Sequence, residues 1–177
     1  MTKEKYIVVL RHGPTHSNET INYNSFVNFT SEMVVYLNNF LLKKGLDINQ
    51  TTPQIYTSPY TRCLDTGKLI ASYLEVLRNN KKLHVKTKSG VKRWDMKNEP
   101  RAKSIERATS YGEHVYSKVK ASSEPEIQIY VTHSSIIPGF ISGLVGKKLK
   151  KVRLHTACLS IINVETRELE VFNKSFK

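Results

Sequence analysis

Arg11 and His12 stand directly behind an apolar run, "YIVVL" (6–10), and Gly13 follows them at once. A buried strand driven into two such side chains is either a strand that simply stops or a mount for chemistry. The arrangement recurs twice. "QIYTS" (54–58) leads through Pro59 to Arg62, and "EIQIYVTHSS" (126–135) ends in His133. Two histidines and two arginines gathered at one place would repel one another if left empty. A dianionic phosphate would neutralise them. Arginine gives phosphate planar, bidentate contacts that lysine cannot. A lone histidine at a strand end is more often a hydrogen-bonded structural residue, so the case rests on convergence.

Convergence depends on the elements that carry these residues. "YIVVL" is continuously apolar and reads as a strand buried on both faces. "NETINYNSFVNF" (18–29) is Asn-rich and aperiodic and reads as a loop. "TSEMVVYLNNFLLKKG" (30–45) has helical spacing through Val34, Leu37, Phe40 and Leu41, with Gly45 as its stop. "QIYTS" is a short strand, and 60–80 is a helix opened by Pro59. "LHVKTKS" (83–89) alternates like an edge strand, and 90–103 looks irregular. Residues 103–121 read as a helix weakened by Gly112. Residues 126–135 hold a second strong strand, 136–149 a small-residue helix, and 157–173 a hairpin. Strands alternating with helices predict an α/β fold: a three-layer αβα sandwich whose central sheet is mostly parallel, with an antiparallel edge from the hairpin. In such a fold ligands bind beyond the carboxyl ends of the strands, where all three polar blocks fall.

The chain has 177 residues, a length suited to a single domain over 1–177. Twenty-eight Lys and Arg against fifteen Asp and Glu leave a formal charge of +13, which favours phosphorylated or polyanionic partners. No apolar stretch approaches the roughly 20 residues of a membrane span, and the N-terminal apolar run is too short for a secretion signal. Cys63 and Cys158 have neither disulfide nor metal spacing, so a reducing cytoplasm is the default. Basic runs lie at 78–93 and 146–153; they are either solvated faces or a rim that steers anions. Aromatics are not regularly interleaved with them, and a nucleic-acid partner is not expected. His12 and His16 are four apart, a metal-like spacing on a helix, but Gly13 and Pro14 argue against a helix there.

The three blocks carry a resemblance. "LRHGPTHSN" resembles the RHGxTxxN signature of the histidine phosphatase superfamily, which includes the phosphoglycerate mutases. "YTSPYTRCLDT" is similar to its second block, and "IYVTHSS" to its third. Their order agrees, and "CLSIINVETRELEV" resembles the family's last strands. The resemblance implies a phosphoglycerate mutase-like fold and a phosphohistidine intermediate on His12. It implies that Arg11, Arg62 and His133 bind the phosphoryl group, completed by Asn18 and the backbone N–H of Ser134, with Thr15 shaping the loop. It also implies that a second ring nitrogen of His12 donates to a backbone carbonyl. No metal or diffusible cofactor is called for.

The chain departs from that pattern in two places. The family's general acid is a glutamate in an L-x-E context, and "SGVKRWDMKNEP" (89–100) matches that stretch. V-K-R stands where L-x-E is expected, so Arg93 takes the acid's place. Asp95 and Glu99 could reach in from the loop; equally, both could be solvated loop charges. The segment after Asn18 lacks the family's usual entry to the first helix, so substrate contacts do not carry over. There is little room for the insertions a mutase needs. The expected activity is hydrolysis of a phosphomonoester or phosphoprotein, with mutase activity discounted. Without an acid, aryl phosphates, phosphohistidine or acyl phosphates are favoured over sugar phosphates. A catalytically impaired phosphate- or phosphopeptide-binding module is the alternative.

Overall fold

In the computed structural model of the chain, the residues described are 4–15, 21–124, 126–149 and 153–176, excepting the side chains of Tyr23 and Ser25. Six strands form one sheet: β1 (Lys5–Arg11), β2 (Gln54–Thr57), β3 (Val85–Thr87), β4 (Glu126–Thr132), β5 (Leu159–Asn163) and β6 (Glu168–Lys174). Their spatial order is β3-β2-β4-β1-β5-β6. The first four run parallel, whereas β5 is antiparallel to β1 and β6 to β5. The expected mixed sheet with an antiparallel edge is thus present.

Alternation along the strands explains why β1 is apolar from Tyr6 to Leu10 and why β4 is apolar apart from the buried Gln128 between Ile127 and Val131. Tyr6, Val8, Leu10, Ile127, Ile129 and Val131 enter one core with helices α1 (Tyr23–Lys43) and α2 (Thr61–Leu77). Ile7, Val9 and Tyr130 enter the other with α3 (Arg101–Ala121) and α4 (Ile137–Val145). Helices cover both faces, so neither set of side chains meets water.

Helix α1 corrects the sequence reading: it begins at Tyr23, so 23–29 are helical and not loop. The cause is tertiary. Phe26, only 1% exposed, packs with Ile21 and Ala157, and the Thr30 hydroxyl donates back to the Phe26 carbonyl at 2.8 Å. One buried aromatic thereby extends the apolar face through an Asn-rich stretch. Further on, a 3₁₀ turn occupies Ser89–Val91, and α3 starts at Arg101 rather than 103. Helix α4 ends at Val145, where Gly146 takes a left-handed φ of 69°.

Gly112 does not weaken α3 so much as seat it. A Cβ there would lie 2.2 Å from the Phe140 carbonyl oxygen of α4. Gly143 answers from α4, where a Cβ would meet the Thr109 carbonyl oxygen at 2.0 Å. The two helices approach at their backbones, which only glycine permits. That contact fixes α4, whose N-terminal end follows His133.

Register sets the site. Arg11 lies opposite Thr132 on the adjacent strand, so His12 and His133 leave the sheet side by side. The His12 N–H donates to the Thr132 carbonyl at 3.0 Å, and the Ser58 N–H to the Val131 carbonyl at 2.9 Å.

Candidate active site

The structure brings Arg11, His12, Arg62 and His133 together at the carboxyl end of the parallel strands. The rings of His12 and His133 stand 5.3 Å apart at 60°. Gly13 permits the turn by close approach: a Cβ there would sit 2.7 Å from the Phe26 ring. Its N–H donates to the Thr66 hydroxyl at 3.0 Å, and that hydroxyl donates to the Arg62 carbonyl at 2.7 Å. Thr66 therefore ties the loop after β1 to the first turn of α2.

His12 Nδ1 lies 2.8 Å from the Gly13 carbonyl oxygen. A carbonyl only accepts, so Nδ1 carries the proton and Nε2 keeps its lone pair. Burial first, then the charges of Arg62, Arg11 and Arg93, pull the His12 pKa down to about 4, against the upward pull of that hydrogen bond. The ring is neutral at pH 7.

His133 is 3% exposed, and both ring nitrogens have partners. Arg62 points Nε and Nη2 at His133 Nδ1, at 3.4 and 3.2 Å. Nδ1 must then accept, so Nε2 holds the proton and donates to the Ser58 hydroxyl at 2.9 Å. Burial and then the Arg62 charge hold its pKa at about 2. Cys63 lies beside it, with Sγ 3.4 Å from Nε2, and burial pushes that thiol up to about 12. An un-ionised buried thiol packs and does not attack. Tyr60 completes the wall, edge-on to His133 at 5.3 Å and beneath the Arg62 guanidinium at 5.3 Å. Ser58, Tyr60 and Thr66 were given no role from sequence. Ser58 and Thr66 stand in the second block itself, which was the available signal.

Arg11 donates through Nη1 to the Leu154 carbonyl at 2.7 Å, while its buried Nε has no partner among the described residues. Ser134 is exposed in the turn between β4 and α4. It lines a cleft of about 640 Å³ between α3 and α4, edged by Arg101, Lys147 and Lys148. Thr15 forms an isolated bridge with Ile21. Asn18 and His16 lie outside the described residues.

The two carboxylates weighed as proton donors are engaged elsewhere. Glu99 forms a double salt bridge with Arg107 of α3, both distances 3.0 Å. That contact holds its pKa below the usual carboxylate range. Asp95 caps its own turn, accepting from the Asn98 side chain at 2.9 Å and the Lys97 N–H at 3.1 Å, and its pKa is also lowered. A general acid needs the opposite shift. Nor is the basic run 78–93 uniform. Arg78 is 2% exposed and donates to the Ile48 carbonyl and Thr52 hydroxyl, each at 2.7 Å, so it is structural.

No protein-family model and no curated protein sequence matches the chain. Solved structures do. A mycobacterial hydrolase is 14% identical with a TM-score of 0.67, covering 98% of this chain and 92% of that one. Phosphoglycerate mutase from Bacillus anthracis is 12% identical with a TM-score of 0.66, covering 98% and 94%. Phosphoserine phosphatase from Entamoeba histolytica, solved with 3-phosphoglyceric acid, is 15% identical with a TM-score of 0.63, covering 97% and 98%. Likeness at such identities speaks for architecture, and the chain has a phosphoglycerate mutase-like fold.

Proposed function

We propose that the chain is a phosphatase of the histidine phosphatase type, hydrolysing a phosphomonoester or phosphoprotein through His12. The observation that carries this reading is the His12 ring itself. Its Nδ1–H is committed to the Gly13 carbonyl, which leaves a neutral nucleophile with a free lone pair on Nε2. Around it stand two guanidinium groups that suit a phosphoryl dianion. The buried Arg11 Nε, unpartnered among the described residues, is a donor that costs roughly 1–3 kcal/mol if left unsatisfied, and an anion would satisfy it.

The chemistry then balances in two steps. The His12 Nε2 lone pair forms a bond to phosphorus, and the bond from phosphorus to the leaving oxygen breaks, its electrons going to that oxygen. Water next attacks phosphorus and gives up one proton to the departed oxyanion or to solvent, the phosphorus–nitrogen bond breaks with its electrons returning to the ring as the lone pair, and hydrogen phosphate leaves. Arg11 and Arg62 oppose the charge on the three phosphoryl oxygens throughout. A phosphoryl oxygen would replace the Ser58 hydroxyl as acceptor of the His133 Nε2–H. Ser134, at the amino-terminal end of α4, offers a backbone donor to the same group.

Asp95 and Glu99 are held ionised, so neither supplies the leaving group with a proton. Substrates whose leaving groups depart unprotonated are favoured: phenols, imidazole or acyl groups rather than sugars. The test is phosphate release, with chelator present, from matched alkyl phosphate, aryl phosphate and phosphohistidine substrates. Aryl phosphate and phosphohistidine should exceed alkyl phosphate by more than about 10²-fold, the usual contribution of a general acid. Comparable alkyl turnover would show that an acid is supplied. Tight binding of phosphate with no turnover of any substrate would favour the binding-module alternative.

A further inference from the structure

We propose that Arg93 is a specificity residue of this site that recognises a second anionic group on the substrate, carried by the leaving group. This rests on the phosphatase reading above for the meaning of the site, but not for its measurement.

The first observation is how the Arg93 backbone is held. Val91 is fully buried, and its carbonyl accepts the Thr132 hydroxyl at 2.7 Å, one residue before His133. Arg107 donates to the Gly90 carbonyl at 3.2 Å and to the Lys92 carbonyl at 3.3 Å. Glu99 fixes Arg107 in turn, and the Trp94 indole N–H donates to the Glu99 carbonyl at 2.7 Å. Arg93 thus stands on a stapled segment fastened to the end of β4.

The second observation is a charge count. Arg11, Arg62 and Arg93 each act through space on both histidines, and both rings are neutral. A phosphoryl dianion balances two guanidinium groups and leaves the third. Among the described residues no carboxylate pairs with Arg93, although Glu99, a few residues away, is taken by Arg107. Arg93 is half-buried, so the field of an unpaired guanidinium is only partly screened. A substrate with one more negative charge completes the balance. Arginine suits a carboxylate or a second phosphate equally, through its planar fork.

The experiment measures binding by calorimetry of 3- and 4-carboxyphenylphosphonate and their neutral amides to the intact chain. The phosphonates are not hydrolysed, so turnover is not required. The wild type should prefer the carboxylate by about tenfold or more, as for one charge-assisted contact. R93Q should bring each pair to parity, and R93E should prefer the amide. A wild-type ratio near one, or an unchanged ratio in R93Q and R93E, would overturn the proposal. Hydrolysis of p-nitrophenyl phosphate is followed in parallel. Its absence, with the carboxylate preference intact, would remove the phosphatase reading and leave Arg93 as the anion-recognition residue.

Discussion

His12→Ala is expected to reduce phosphate release from an aryl phosphate by at least about 10³-fold, with the fold retained. The substitution removes the only group placed here as nucleophile. Among the described residues its ring makes one hydrogen bond, to Gly13, and one edge contact, with His133, so the loss to the core is small. Steady-state kinetics give the rate, and the melting transition shows that the variant is folded. Arg11 and Arg62 would remain, so the variant should still bind inorganic phosphate. Loss of turnover with retained binding is the pattern that separates a nucleophile from a residue that merely holds the pocket together. Turnover close to wild type would reassign the chemistry to another group.

Arg62→Ala should cost roughly 10²–10³-fold in kcat/KM, the usual loss when one donor to a developing oxyanion is removed. The same change has a signature in pH. Arg62 is the largest through-space charge lowering the pKa of both histidines. Burial remains the first cause of both depressions, but without that charge both pKa values rise. His12 must be neutral to attack, so the acidic limb of kcat/KM should move to higher pH in the variant. A purely structural role would lower activity without moving that limb. Arg62 also contacts His133 and lies over Tyr60, so some loss of stability is expected alongside. The pH profile is therefore the readout that decides.

The parts of the molecule legible in the sequence were those in which one physical demand dominates. "YIVVL" is a continuous apolar run, and "IQIYV" is one but for Gln128, because helices cover both faces of their sheet, and such near-continuity marks strands of this kind. The polar residues at their ends stood out because a buried strand has no other reason to finish in Arg and His. Convergence then followed from parallel pairing, which puts Arg11 opposite Thr132.

What was not legible depends on partners far away in the chain. The start of α1 rests on Phe26 meeting Gly13 and Ala157, and neither is local to its Asn-rich stretch. Gly112 reads as a helix weakness until its contact with α4 is seen. Whether Glu99 could act as an acid turned on Arg107, eight residues on and on another element. The state of Arg93 is likewise set by what the fold leaves unpaired. Local spacing shows which residues can do chemistry, but the charges that tune them are supplied by the tertiary structure.

The most direct test is to trap the covalent intermediate. The chain is mixed with a labelled phosphoramidate or aryl phosphate, quenched in alkali, and examined by peptide mapping. The account predicts one phosphoryl group, stable to base and labile to acid, on His12, and none in His12→Ala. Label on another residue, or turnover with no acid-labile label at any time, would contradict it.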